Sequence, residues 1–187
     1  MWLPPIRCVI QYISGAGIYL SGIEPLAYDT LEIQRLNIDV VISLLEEIET
    51  PQFIRKAIPG LKHSYYRVKD DSEQSLYRLF DPVFNRIHRS LEEGKNVLIH
   101  CRNGESVCVA MLIGFFILCI RWGERYLIFD YVNFLPKCCH TWTDSFLYFI
   151  RLMYPPANPR IEFIRELYEF EEEVLKPLRD EVTNEST

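Results

Sequence analysis

The sequence predicts an α/β protein, a central mixed or parallel sheet flanked by helices. Three observations predict it. Two β-branched runs, at 38–45 and 97–99, lack the polar alternation of a half-exposed strand and read as strands buried on both faces. Between them Leu76, Leu79, Phe80, Val83, Phe84, Ile87 and Leu91 recur at three- and four-residue steps, the apolar face of a helix. Residues 107–120 are apolar throughout and read as a helix buried on all sides. Strands that alternate with helices need crossover connections, which make a sheet parallel or mixed.

The elements follow in order. The first ten residues are apolar with one charge, and Pro4-Pro5 breaks any signal-like helix. Ile18-Tyr19-Leu20-Ser21-Gly22 reads as a short strand ending in a turn. Asp29 suits the cap of a helix with Leu31, Ile33 and Leu36 on its apolar side, closed by Asn37. Residues 46–60 form a polar, proline-containing connection with a weak helical pattern at 53–57. Ser64-Tyr65-Tyr66-Arg67-Val68 alternates as a further strand, and 69–75 is a polar loop. Gly94 stops the helix that follows. The apolar helix at 107–120 is too short to span a membrane, and Arg121 closes it. Residues 121–143 carry Tyr126, Leu127, Ile128, Phe129, Tyr131, Val132, Phe134 and Leu135, too apolar for a floppy loop. A helix over 144–154, capped by Thr143 or Asp144, precedes a break at Pro155-Pro156-Ala157. Asn158 caps the last helix, with Pro159 at its first position and Ile161, Ile164, Leu167 and Tyr168 on its apolar side. Residues 175–187 are polar and are expected to fray.

Composition narrows the function classes. A chain of 187 residues, 49% apolar, is expected to form a single domain over 1–187 with a sizeable core. A net charge of −6 argues against nucleic acid as a partner, and no membrane partner is expected. Glu162, Glu166, Glu169, Glu171, Glu172 and Glu173 are expected to form a solvated helix face. Six cysteines (8, 101, 108, 119, 138, 139) lack the spacing of a disulfide framework. They read as free thiols in a reducing compartment, the cytoplasm, with the nucleus as a second location. Cys138-Cys139-His140 has poor spacing for zinc, so no metal is expected, and no cofactor is implied. The oligomeric state is not readable.

The chemistry concentrates at 97–108. A buried strand is followed by His100-Cys101, a short loop containing Gly104, and the start of the apolar helix. A strand, a tight loop and a helix N-terminus together make an anion cradle of inward-pointing N–H groups. The same field lowers the pKa of a cysteine at the loop's first position, so Cys101 is placed as a thiolate nucleophile.

His100-Cys101-x-x-Gly104-x-Ser106 resembles the signature loop of cysteine-dependent protein phosphatases, in particular the compact dual-specificity class. That loop reads His-Cys, five residues, Arg, then Ser or Thr. The strand Tyr19-Leu20-Ser21-Gly22, the capped helix and the strand at 38–45 resemble the start of such domains, in the same order. Residues 157–171 resemble their closing helix. The resemblance covers about 13–175, with an insertion at about 121–143. It implies a protein tyrosine phosphatase-like fold, Cys101 as nucleophile, Asp70 as general acid with Asp71 as second candidate, and a phosphate-binding loop of His100, Cys101, Arg102, Asn103, Glu105, Gly104, Ser106 and Val107. It also implies that His100 supports the loop from behind and that Ser106 stabilises it internally.

Two positions depart from the pattern. Val107 stands where the Arg belongs, and Cys108 where the hydroxyl belongs. A guanidinium grips two phosphoryl oxygens through a planar fork and holds transition-state charge; valine does neither. The expectation is an inactive or very weak pseudophosphatase, a binding module whose partner is a phosphoprotein or another signalling protein. The alternative is an active protein tyrosine, serine or threonine phosphatase in which Arg102 or a partner's Arg replaces the missing cation. A third reading gives the aromatic insertion a role in self-association. The pair Cys101 and Cys108 is also a candidate for a disulfide across the loop if geometry permits.

Overall fold

The computed structural model describes residues 10–14, 17–28, 30–46, 58, 60–124 and 139–184. Its elements are β1 (Gln11–Ser14), β2 (Ile18–Ser21), α1 (Glu24–Tyr28), α2 (Thr30–Arg35), β3 (Ile38–Leu45), β4 (Lys62–Arg67), α3 (Tyr77–Glu92), β5 (Asn96–Cys101), α4 (Val107–Trp122), α5 (Trp142–Met153) and α6 (Ile161–Asn184). The expectations for Asp29, for residues 53–57, for most of the first ten residues, for Cys138 and for the aromatic positions 126–135 lie outside the described residues.

The five strands form one sheet in the order β1-β2-β5-β3-β4. β2, β5, β3 and β4 run parallel, and β1 adds an antiparallel edge. The sheet is therefore mixed, flanked by helices, as the alternation of elements predicts. β5 lies in the middle, and its C-terminal residue is Cys101. In open sheets of this kind, ligands bind beyond the carboxyl ends of the parallel strands. The topology thus delivers the sulfur to that edge.

The period of two divides the core. Val40, Ile42, Leu44, Val97, Ile99 and Cys101 belong to a large cluster with the buried residues of α3, α4, α5 and α6. Tyr19, Val41 and Leu98 belong to a smaller one, with Leu26 and Ile33 from the two short helices. α4 is apolar and almost entirely buried from Val107 to Ile120, in contact with α3, α5, α6 and β5; only its last turn, with Arg121 and Trp122, meets solvent. No described helix is long and apolar enough to cross a membrane.

Several local expectations change. β1 and α1 were not expected. β1 is only four residues long, and α1 only five, with a proline at its second position, so neither leaves a strong pattern. The cap of α5 is Thr141, whose hydroxyl accepts from the Asp144 N–H at 3.1 Å, and not Thr143 or Asp144. Thr143 is instead buried and bound to Glu171. α6 starts at Ile161, because the Arg160 carbonyl accepts the Ile164 N–H; Asn158 and Pro159 form the lead-in. The same helix continues to Asn184, past the position where fraying is expected, and Leu175 in its later turns is buried. The glutamates of α6 are not uniformly solvated. Glu171 is 3% exposed, and its carboxylate accepts the N–H groups of Trp142 and Thr143 at 2.9 and 2.8 Å. Glu166 accepts the Leu76 N–H at 2.8 Å, just ahead of α3. One helix therefore supplies acceptors to the starts of two others.

Candidate active site

The loop between β5 and α4 closes around the sulfur of Cys101. Backbone N–H groups of Cys108, Ser106 and Gly104 hydrogen-bond to it. The Cys108 sulfur stands 3.3 Å from it. Once Cys101 ionises, the Cys108 S–H is the donor. That bond is the largest cause of a Cys101 pKa lowered to about 7, with the three N–H groups adding to it and burial opposing it. Burial, together with the neighbouring Cys101 sulfur, pushes the Cys108 thiol up. Of the two thiols, Cys101 therefore ionises first, and Cys108 keeps its proton. Both thiols are free.

Close packing fixes the loop's shape. Gly104 has φ +78°, and a Cβ there would lie 2.6 Å from both the Gly22 N and the Tyr154 hydroxyl. The Ile23 N–H donates to the Arg102 carbonyl at 3.1 Å, and the Asn158 N–H to the Glu105 carbonyl at 2.7 Å. Behind the loop, strand register pairs His100 with Ser43. Ser43 Oγ lies 2.5 Å from His100 Nε2 and 2.6 Å from His63 Nε2, and His100 Nδ1 lies 3.4 Å from the Cys101 carbonyl. Burial lowers the His100 pKa to about 3, so the ring is neutral. His100 is thus buried at the end of β5, between Ser43 and the Cys101 carbonyl.

Asp70 and Asp71 separate cleanly. The Asp71 carboxylate accepts the N–H groups of Glu73 and Gln74 at 3.0 and 2.9 Å and closes a turn. Asp70 Oδ1 accepts from Ser106 Oγ at 2.9 Å. Ser106 therefore does not stabilise the loop internally. Its hydroxyl donates to Asp70 and accepts the Arg160 N–H at 3.3 Å. The hydroxyl joins three segments: the signature loop, the acid-bearing loop and the turn that leads into α6.

A cavity of about 550 Å³ opens over this arrangement, with Cys101, Asp70, Arg102, Asn103, Val107 and Arg160 in its wall. A neighbouring cavity of about 600 Å³ shares Asp70, Asn103 and Arg160. Val107 is 1% exposed and packs into the main core, as does Cys108. Arg102 is exposed and reaches the same cavity as Cys101. Sequence reasoning missed Arg160. It lies 59 residues beyond the nucleophile, in a turn whose only signal was the Asn-Pro lead into a helix. Among the described residues no group of three or more His, Cys, Asp or Glu forms a metal site.

Comparison with known proteins agrees with this geometry. The family model described as "Dual specificity phosphatase, catalytic domain" matches residues 18–173. Mouse dual specificity protein phosphatase 22 is 25% identical over 155 residues, which is 83% of this chain and 70% of that protein. A putative tyrosine phosphatase 123R of Invertebrate iridescent virus 6 is 39% identical over 69 residues, 36% of this chain and 46% of the viral protein. Among solved structures, human DUSP28 has a TM-score of 0.67 at 17% identity, covering 92% of this chain and 97% of its own. A mouse putative dual specificity phosphatase complexed with zinc tungstate has a TM-score of 0.70 at 16% identity, covering 95% and 94%. With the match spanning the four parallel strands, the cysteine loop and the start of the closing helix, this chain belongs to the dual specificity phosphatase catalytic-domain family.

Proposed function

We propose that this chain is a pseudophosphatase: it captures phosphorylated side chains of a partner protein in the Cys101 cavity and hydrolyses them very slowly or not at all. The observation that carries the reading is Val107, a buried aliphatic residue where the loop pattern of the family has Arg. Arginine contacts in phosphoryl transfer are worth about 10³–10⁵ in rate, or about 4–7 kcal/mol. What supports retained binding is the turn of the loop, which gathers the N–H groups of Gly104, Ser106 and Cys108 around Cys101 at the start of α4, a shape that does not depend on the side chain at 107.

One observation favours a second reading, a slow phosphatase. Cys101 is poised near neutral pH and Asp70 lies in the same cavity, so a nucleophile and an acid are both present. In such a reaction the thiolate attacks phosphorus, the leaving oxygen takes the Asp70 proton, and water then cleaves the cysteinyl phosphate.

A phosphotyrosine peptide and its unphosphorylated twin separate binding from its absence. The proposal expects the phosphorylated peptide to bind at least tenfold more tightly, measured by fluorescence anisotropy. Equal affinity for the two peptides would contradict it.

A further inference from the structure

We propose that Arg160, in the turn that leads into α6, is the guanidinium that holds a phosphoryl group in the Cys101 cavity; this rests on the binding function above. Arg160 shares the cavity wall with Cys101 and Asp70. Its backbone N–H is fastened to Ser106 Oγ at 3.3 Å, which anchors it to the loop that would cradle the anion.

Among the described residues its side chain has only weak contacts. Nη1 reaches the Asp70 carbonyl at 3.4 Å, and Nε lies 3.7 Å from a Glu162 oxygen, with the Arg160 side chain 43% exposed. The first distance is beyond the usual hydrogen-bond range, and exposed ion pairs of the second kind contribute little. A doubly charged phosphate offers the fork a bidentate partner that neither contact matches. Arg102 also lines the cavity, from within the signature loop beside the nucleophile. Arg160 joins the cavity wall from a separate segment, the turn just before α6.

The position also fits weak catalysis. Val107 occupies the loop position from which a guanidinium would follow charge as it develops. A cation from the turn before α6 holds the phosphate in the ground state and the transition state alike, which strengthens binding without raising turnover.

The test reads protection of Cys101 from iodoacetamide by inorganic phosphate, with labelling of the Cys101 peptide followed by mass spectrometry. The readout is the phosphate concentration giving half-protection, obtained from rates with and without phosphate within each variant. Wild type is expected to be protected. Arg160→Ala should need at least tenfold more phosphate, Arg160→Lys should fall between, and Arg165→Ala, an exposed arginine of α6 outside the cavity wall, should change it less than threefold. Protection of Arg160→Ala equal to wild type would overturn the assignment while leaving phosphate binding in place. A wild type that phosphate does not protect at all would overturn the binding function and the role of Arg160 with it. Melting curves of each variant identify loss of fold; Arg160→Gln, closer in size, gives the same contrast should the alanine variant melt early.

Discussion

At the scale of single residues, the site is a loop whose shape is complete and whose charge is altered. Gly104 occupies a space that admits no side chain, and three N–H groups aim at one sulfur. Cys108 takes the place where the family pattern has a hydroxyl, yet it is the largest cause of the lowered Cys101 pKa. Removing that donor favours the neutral thiol, so the pKa of Cys101 rises. Cys108→Ala should move the midpoint of Cys101 alkylation from about pH 7 to higher pH. The rate at pH 7 then falls about fivefold if the midpoint moves by one unit. An unchanged profile would show that the N–H groups alone set the acidity. Part of this site was legible: Cys101 and the Gly104 loop came from the strand-loop-helix pattern, and His100 and Asp70 from the resemblance to the family. The bond from Ser106 to Asp70 and the place of Arg160 in the cavity wall were not, because each depends on where a distant segment returns.

At the scale of elements, the short β1 and α1 escaped notice, whereas β3, α3, β5 and α4 lie within a few residues of their sequence patterns. Long runs of one period carry their own signal; a cap depends on a neighbour. α5 shows this, since Thr141 satisfies one N–H and a carboxylate from α6 satisfies two more. Glu171 also accepts the Thr143 hydroxyl at 2.8 Å. Hydrogen bonds to a charged acceptor are worth roughly 1.5–3 kcal/mol, and a buried donor left without its acceptor costs a similar amount. Glu171→Gln turns one acceptor into an amide group that cannot accept from these donors. It should cost about 2 kcal/mol and lower Tm by about 4–8 °C in calorimetry. A Tm within 1 °C of wild type would mean that water replaces the lost acceptor.

At the scale of the whole molecule, the parallel strands bring Cys101 to the carboxyl edge of the sheet and bury His100 behind it. That burial links the fold to pH. The folded pKa of His100, about 3, lies below the ordinary value of 6.5. Between those values the unfolded chain binds a proton that the folded chain refuses, so stability is present above pH 6.5 and is lost as pH falls toward 3. The slope is at most about 1.4 kcal/mol per pH unit from this residue. Urea unfolding should show a loss of about 2 kcal/mol between pH 6.5 and 5. Nitrogen NMR should show a neutral His100 ring at pH 5, and a ring that titrates near 6.5 would contradict the buried assignment. The sheet and its flanking helices were readable because β-branched runs and helical spacing are local properties. The chain's contribution to the cavity from the turn before α6 was not, because it arises only when the closing helix packs beside the loop.

The central claim is that a fold of this family, with Val107 in its loop, holds a phosphate but barely cleaves it. The most direct measurement is release of phosphate from p-nitrophenyl phosphate by the wild-type protein and by Cys101→Ser. Loss of the arginine contribution predicts a kcat at least about a thousandfold below an ordinary enzyme value of about 10 s⁻¹, hence below about 10⁻² s⁻¹ and close to that of Cys101→Ser. Turnover of about 1 s⁻¹ or more that disappears in Cys101→Ser would contradict it.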